Sequence, residues 1–106
     1  MSNQRVEVLL CIQQALLGEV FPALRAIDIS WGEKMIKFIA YVDGIISDND
    51  YDSLSCIETE IIACFSENYI INYEIIRIDS PHPLPNKRGM ECVYSRREIS
   101  SSIPKQ

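Results

Sequence analysis

The 106-residue sequence is poor in the residue patterns on which enzymes and metalloproteins depend. It has one histidine, four glycines that form no phosphate-binding loop, and four cysteines without the close spacing of a metal site. Phosphate loops need clustered glycines so that the backbone can approach the phosphates, and zinc sites need pairs of ligands a few residues apart. We therefore expect no enzyme activity, no metal and no cofactor.

A histidine and a run of aspartates could indicate catalysis or calcium binding, but the residues around them do not complete either kind of site. His82 lies between two prolines in a loop, and no serine or cysteine near it belongs to a nucleophile motif. Residues 48–52 carry alternate aspartates, as a calcium-binding EF-hand loop does at its start. Such a loop also needs glycine at its sixth position and glutamate at its twelfth, where this chain has serine and threonine. Helix capping explains these aspartates without a cation.

The sequence also has no long apolar run, and its first residues do not have the features of a signal peptide. No stretch approaches the roughly 20 apolar residues that a membrane-spanning helix needs. The first residues have neither a cationic start nor a continuous apolar core, so we expect a cytoplasmic protein that does not enter a membrane. In a reducing compartment, Cys11, Cys56, Cys64 and Cys92 are expected to be small buried hydrophobic residues. A metal site, a disulfide or a reactive thiol is the alternative.

Negative charge dominates the body of the chain. The formal net charge is −5, and residues 1–80 hold thirteen acidic residues against five basic ones. Residues 81–106 hold two acidic residues against five basic ones. Because an acidic body repels phosphate, we expect no direct binding to nucleic acid. The basic carboxy-terminal segment, with Arg96 and Arg97, leaves nucleic-acid binding as a lesser alternative.

Apolar periodicity predicts a helix followed by a hairpin in the first half of the chain. Apolar residues recur at helical spacing in residues 3–17. They alternate in residues 23–31 and 34–42 around a tight turn at Gly32-Glu33, which predicts two antiparallel strands. These three elements account for the first 42 residues.

The second half predicts another helix and two more strands. Ser47 is a suitable N-cap for the helix, and residues 69–79 and 92–94 have strand composition. A proline-rich segment between those strands cannot be helical, and we expect it to project. The predicted fold is α+β, a two-layer sandwich in the order α-β-β-α-β-β, with an antiparallel sheet and two helices on one face. Residues 1–98 form one domain, and residues 99–106 are a flexible tail.

The strongest functional signal is an acidic stretch, residues 43–52, that leads into the second predicted helix. Carboxylates along a helix can imitate a phosphate backbone and attract the basic groove of a nucleic-acid enzyme. Aromatic residues would then anchor the complex, because interface hot spots favour tyrosine and tryptophan. The candidate partner-binding residues are Asp48, Asp50, Tyr51, Asp52, Glu60 and Glu67.

Four stretches together resemble a group of short bacterial proteins. The stretches are ALLGEVFPALR at residues 15–25, YVDG at 41–44, IETEIIA at 57–63 and IIRIDSP at 75–81. The resemblance covers roughly residues 10–98. It implies a small α/β domain similar to the immunity proteins of contact-dependent growth inhibition and other polymorphic toxin systems. Such proteins occupy a toxin domain and block its nuclease or other activity.

The charge and the resemblance predict the same class of function. We expect a bacterial immunity protein that binds and neutralises a cognate toxin domain, a nuclease, through an acidic surface. The free protein is expected to be a monomer or weak dimer. The alternative is a small housekeeping or regulatory protein-binding module, homodimeric through an exposed sheet edge.

Overall fold

The computed structural model describes residues 4–65 and 67–98. Two helices and four strands form in the order α1 (Gln4–Leu16), β1 (Leu24–Gly32), β2 (Met35–Val42), α2 (Asp48–Cys64), β3 (Ile70–Arg77) and β4 (Glu91–Ser95). The α+β class, with two helices and four strands, is therefore confirmed. The predicted tail at residues 99–106 lies outside the described residues.

Strands β1 and β2 form the predicted hairpin. Gly32 pairs with Met35, so the connection is the two residues Glu33 and Lys34. Lys34 has a φ of 59°, the left-handed backbone region in which the chain can reverse tightly. The pairing shifts register between Leu24 and Ala26, which leaves an irregularity at the start of β1.

The prediction of a fully antiparallel sheet is wrong. The strand order is β3-β2-β1-β4, and β3 runs parallel to β2 from Met35↔Ile70 to Val42↔Arg77. Parallel neighbours need a long crossover connection, and here α2 supplies it. The helix brings the chain back to the end of the sheet at which β2 began. β4 then pairs antiparallel with β1 on the opposite side of the hairpin.

The proline-rich segment packs against the sheet, contrary to the expectation that it projects. β3 and β4 occupy opposite edges of the sheet, so residues 78–90 must cross two intervening strands. Leu84 and Met90 pack against Ala26, Ile39 and Tyr41 on the face of the sheet away from the helices. The segment therefore covers a second, smaller apolar cluster.

The main core lies between the helices and the other face of the sheet. Its buried members come from both helices and from alternate positions of the hairpin strands: Val8, Ile12, Leu16, Leu24, Ile27, Ile29, Ile36, Phe38, Ala40, Leu54, Ile57 and Ile61. The ring of Phe38 also stacks on Tyr73 of β3, with ring centroids 4.9 Å apart. Each fully buried side chain of this kind stabilises the fold by about 1.5–3 kcal/mol.

A network of charged groups closes one end of the sheet. Arg25 is buried and bonds the Glu98 carboxylate at 2.7 and 2.8 Å, while its Nη1 donates to the carbonyl oxygens of Ile78 and His82. Arg96 bonds Glu98 at 2.8 Å and Asp43 at 2.9 Å. Residues that follow β2, β3 and β4 are thereby tied to the start of β1.

The two arginines hold the pKa of Glu98 at about 2, below its ordinary value of 4.5, chiefly through the hydrogen bonds from Arg25. A carboxyl whose pKa is lowered by folding stabilises the protein above its unfolded pKa and loses that contribution as pH falls through its folded pKa. The stability that Glu98 contributes is therefore complete above about pH 4.5 and disappears near about pH 2.

The Glu98→Gln variant tests whether the ionised Glu98 carboxylate stabilises the fold. At pH 7 the variant is expected to lose roughly 2 kcal/mol of unfolding free energy, because the Arg25 guanidinium stays buried with a weaker partner. Urea denaturation followed from pH 7 downward should show the difference shrinking towards zero near pH 2. Glu33→Gln, in the exposed β1–β2 turn, is the control and should match the parent protein. A difference that is constant with pH would contradict the assignment.

A disulfide joins the two helices. Cys11 of α1 and Cys64 of α2 are bonded, with a Cα–Cα distance of 6.3 Å across a sequence separation of 53 residues. The expectation of four buried free cysteines is therefore wrong, and Cys56 and Cys92 are free but exposed. The pairing has no local sequence signal, because it depends on the two helices lying side by side.

Removing this bond is expected to destabilise the protein strongly. Closing a loop of this length restricts the unfolded chain by about 4 kcal/mol in the chain-entropy model, and measured losses are typically 2–4 kcal/mol. Urea denaturation of the Cys11→Ala, Cys64→Ala double variant measures the effect under non-reducing conditions. Cys56→Ala is the matched control on the same helix and should stay within about 0.5 kcal/mol of the parent.

Candidate functional site

The acidic stretch identified in the sequence forms the start of α2. Ser47 is the N-cap, and its hydroxyl accepts a hydrogen bond from the Asp50 amide at 3.2 Å. The Asp50 carboxylate accepts in return from the Ser47 amide at 3.4 Å, which completes a capping box. Asp48 and Asp50 also place negative charge at the positive end of the helix dipole. Asp50 therefore has a structural task, and its half-buried carboxylate is already engaged.

Asp48 and Asp52 lie on the outward side of α2. Successive helix residues are rotated by about 100°, so these two positions fall opposite the buried stripe of Leu54, Ile57 and Ile61. Both side chains are exposed. Tyr51 lies between them in sequence, is 49% exposed, and points to the side of the helix that faces β3.

The loop just before α2 carries an exposed isoleucine that was not identified from the sequence. Ile45 is 89% exposed, whereas its neighbour Ile46 is buried in the core. Gly44, at a φ of 75°, precedes it and donates its amide to Asp79 at 2.7 Å. This bond fixes the loop that presents Ile45. The sequence did hold a signal for this exposure, because two adjacent isoleucines lie in a polar loop. Only one of them is buried in the core.

The structure separates Glu60 and Glu67 from the other predicted residues. Glu60 faces α1 and lines a shallow groove together with Gln14, Leu17, Glu19, Cys56 and Thr59. Glu67 follows the end of α2 and is exposed. The helix rises by 1.5 Å per residue, so its end lies roughly 24 Å from Asp48. The six predicted residues therefore do not form one patch, and only those at the start of α2 are close in sequence to Ile45.

The metal-ligating and basic groups noted in the sequence are dispersed or engaged within the described residues. In residues 4–65 and 67–98, no group of three or more histidine, cysteine or acidic side chains could hold a metal ion. The Nδ1 atom of His82 lies 3.0 Å from the carbonyl oxygen of Asp79, so the ring is held by its own loop. Arg96, a candidate for nucleic-acid binding, is occupied by Asp43, Glu98 and the carbonyl oxygen of Pro22.

Neither described helix has both the length and the apolar character needed to cross a membrane. α2, the longer one, spans 17 residues and carries acidic side chains in its first turn.

Comparison with known proteins identifies the family. No curated protein matches the chain. The sequence profile described as MafI2 immunity protein matches residues 5–98, which run from the first turn of α1 to the Glu98 carboxylate that binds Arg25. The match thus spans both helices, all four strands and the charged network. The chain therefore belongs to the MafI2 immunity protein family.

Proposed function

We propose that this protein binds a cognate bacterial toxin domain and neutralises it by occupying its active surface. The observation that carries the proposal is the family match over residues 5–98. The exposed groups described above support a mechanism based on binding, in which one molecule of this protein blocks one molecule of toxin. The protein would then act in stoichiometric amounts and need no cofactor.

We propose further that the interface includes the start of α2. Ile45, Asp48, Tyr51 and Asp52, here called the α2 acidic surface, combine two carboxylates with an exposed aliphatic and an exposed aromatic side chain. Opposite charge accelerates encounter, and apolar anchors slow dissociation. The loop and the capping box hold these groups in place before binding, so little conformational entropy is lost.

The charge of this surface favours a basic toxin, and a nuclease is the class that we propose. A nuclease attracts phosphate through lysine and arginine side chains, and carboxylates can satisfy the same groups. Glu60 and Glu67 lie away from the surface, so their contribution would be to steer the encounter at low salt. Asp50 would act on binding indirectly, by fixing the start of the helix.

The β3 edge favours a second candidate, a homodimeric regulatory module. Ile70 of β3 and Met35 of β2 are paired in register and both are exposed. β3 is an outer strand, and an exposed strand edge is a template for pairing with another chain. A module of this kind would be a stable dimer in solution without a toxin.

The proposed cytoplasmic location generates a separate prediction. Disulfides are uncommon in cytosolic proteins, because cellular thiols keep cysteines reduced. A cytoplasmic protein should therefore contain Cys11 and Cys64 as thiols in intact cells. Rapid alkylation of living cells, followed by mass spectrometry of all four cysteines, measures this. Alkylation of only Cys56 and Cys92 would indicate an oxidising compartment and overturn the cytoplasmic location.

The proposed function is tested by capturing the partner. Tagged protein purified from its own bacterium should bring with it a toxin-domain protein in stoichiometric amount, identified by mass spectrometry. Light scattering should show the free protein as a monomer. Recovery of a stable homodimer without a toxin would overturn the proposal in favour of the regulatory module.

The α2 acidic surface is tested with the captured toxin. Asp48→Lys with Asp52→Lys should weaken binding by roughly 2–5 kcal/mol for each carboxylate that the complex buries, and should slow association at low salt. Glu7→Lys with Glu33→Lys makes the same charge change at the far end of the sheet and serves as the control. If the two double variants bound the toxin equally well, toxin binding would stand but this interface would be wrong.

A further inference from the structure

The sheet face away from the helices contains a small polar cavity. It has a volume of about 160 Å³ and lies between β1, β2, β4 and the proline-rich segment. Its lining residues are Ala26, Asp28, Tyr41, Leu84, Pro85, Asn86, Lys87, Met90, Cys92 and Ser95. None of the residues predicted from the sequence to bind a partner belongs to this lining. The cavity is therefore separate from the α2 acidic surface.

Two polar side chains in the cavity wall, a carboxylate and a hydroxyl, are buried close to each other. Asp28 is 8% exposed, and within residues 4–65 and 67–98 its carboxylate forms no ion pair. Tyr41 is 1% exposed, and its hydroxyl meets hydrogen-bond geometry with no group in the same residues. Burial raises the pKa of Asp28, and burial with the nearby Asp28 charge raises the pKa of Tyr41. A buried polar group without a partner is costly and rare in native proteins.

The Tyr41 hydroxyl and the Cys92 thiol lie close enough to Asp28 to oppose the rise in its pKa, but burial outweighs both. The Cys92 thiol lies opposite Asp28 in the β1–β4 register and donates to the carbonyl oxygen of Tyr94 at 3.3 Å. Lys87 is exposed, and its charge opposes the rise in the pKa of Asp28 without forming an ion pair with it. The cavity thus offers a carboxylate and a tyrosine oxygen as acceptors for a donor from outside.

The rest of the lining is mainly apolar. Ala26, Leu84, Pro85 and Met90 supply its apolar surface, and Asn86 and Ser95 are its other polar members. A ligand that matches this wall needs an aliphatic stem that ends in a cation with several N–H donors. Guanidinium fits better than ammonium, because it is planar, more weakly hydrated and better suited to a buried carboxylate.

We propose that the cavity between the sheet and the proline-rich segment binds a guanidinium group on an aliphatic stem, as carried by an arginine side chain of another protein. The guanidinium donates to the Asp28 carboxylate and to the Tyr41 oxygen, and the stem packs against Leu84, Pro85 and Met90. This site does not rest on the α2 acidic surface or on the identity of the toxin. The protein can therefore be tested with a small probe alone.

The experiment titrates the full-length protein with propylguanidinium at millimolar concentration and follows its NMR spectrum. Saturable shifts are expected for the signals of Asp28, Tyr41 and Cys92, and not for those of Asp48 or Asp52. Propylurea is the matched neutral probe, with the same shape and no charge, and should bind at least about tenfold more weakly. Equal binding of the two probes, or no saturable shift, would overturn the proposal.

Asp28→Asn separates binding from a purely structural role. The variant should bind propylguanidinium at least about tenfold more weakly, because the charge-assisted contacts are lost. It should also be at least as stable as the parent in urea, because a buried charge has been removed without changing the shape of the side chain. Glu60→Gln removes a charge on α2, on the helix side of the sheet and outside the cavity, and should leave binding unchanged. A destabilised Asp28→Asn variant with normal probe binding would show that Asp28 only supports the fold.

An arginine from a partner protein is distinguished from a free small ligand by competition. If the source is a partner side chain, propylguanidinium should displace Asp28-dependent binding of that partner while propylurea does not. Partner binding that is identical for the parent and for Asp28→Asn would contradict the assignment to a protein arginine.

Discussion

Arg25 carries a buried guanidinium, which the fold can tolerate because three groups from two other segments converge on it. The carbonyl oxygens of Ile78 and His82 accept from Nη1, and the Glu98 carboxylate accepts from Nε and Nη2. A buried cation without such partners would cost several kcal/mol. The segment after β3 and the chain after β4 must therefore both return to the start of β1. This requirement determines how the proline-rich segment crosses the sheet.

The same network reaches the start of α2. Arg96 links Glu98 to Asp43, and Asp79 fixes the amide of Gly44, one residue before Ile45. Three of the four stretches on which the family resemblance rests contribute side chains or amides here, namely residues 15–25, 41–44 and 75–81. Those stretches encode the fold, which explains how they identify the family without identifying the residues that contact a partner.

The sequence was informative wherever the signal was local. The hairpin and both helices follow from periodicity and capping, and Ser47 with Asp50 forms the expected cap. The parallel pairing of β3 was not predictable, because strand composition is the same for either direction and only the path of α2 decides between them. The disulfide and the packing of the proline-rich segment likewise depend on distant elements that meet in space.

The candidate binding residues, like the fold, were predictable from the sequence only where the signal was local. Charge patterning indicated Asp48 and Asp52, which are exposed as expected. Asp50 differs from them because it completes the expected capping box with Ser47, which engages its carboxylate. Asp28 and Tyr41 have the composition of ordinary strand residues, and only the burial of a carboxylate beside an unsatisfied hydroxyl distinguishes them.

The strand order β3-β2-β1-β4 has a consequence for how the chain folds. The hairpin at the centre of the sheet is built from residues close in sequence, so it can form early at little entropic cost. Each outer strand then joins a different side of the hairpin, and each does so through a long loop whose closure is slow. The two edges can also detach one at a time while the centre persists. Loop-closure entropy therefore favours a folding order in which the central hairpin forms first and the two outer strands join it last.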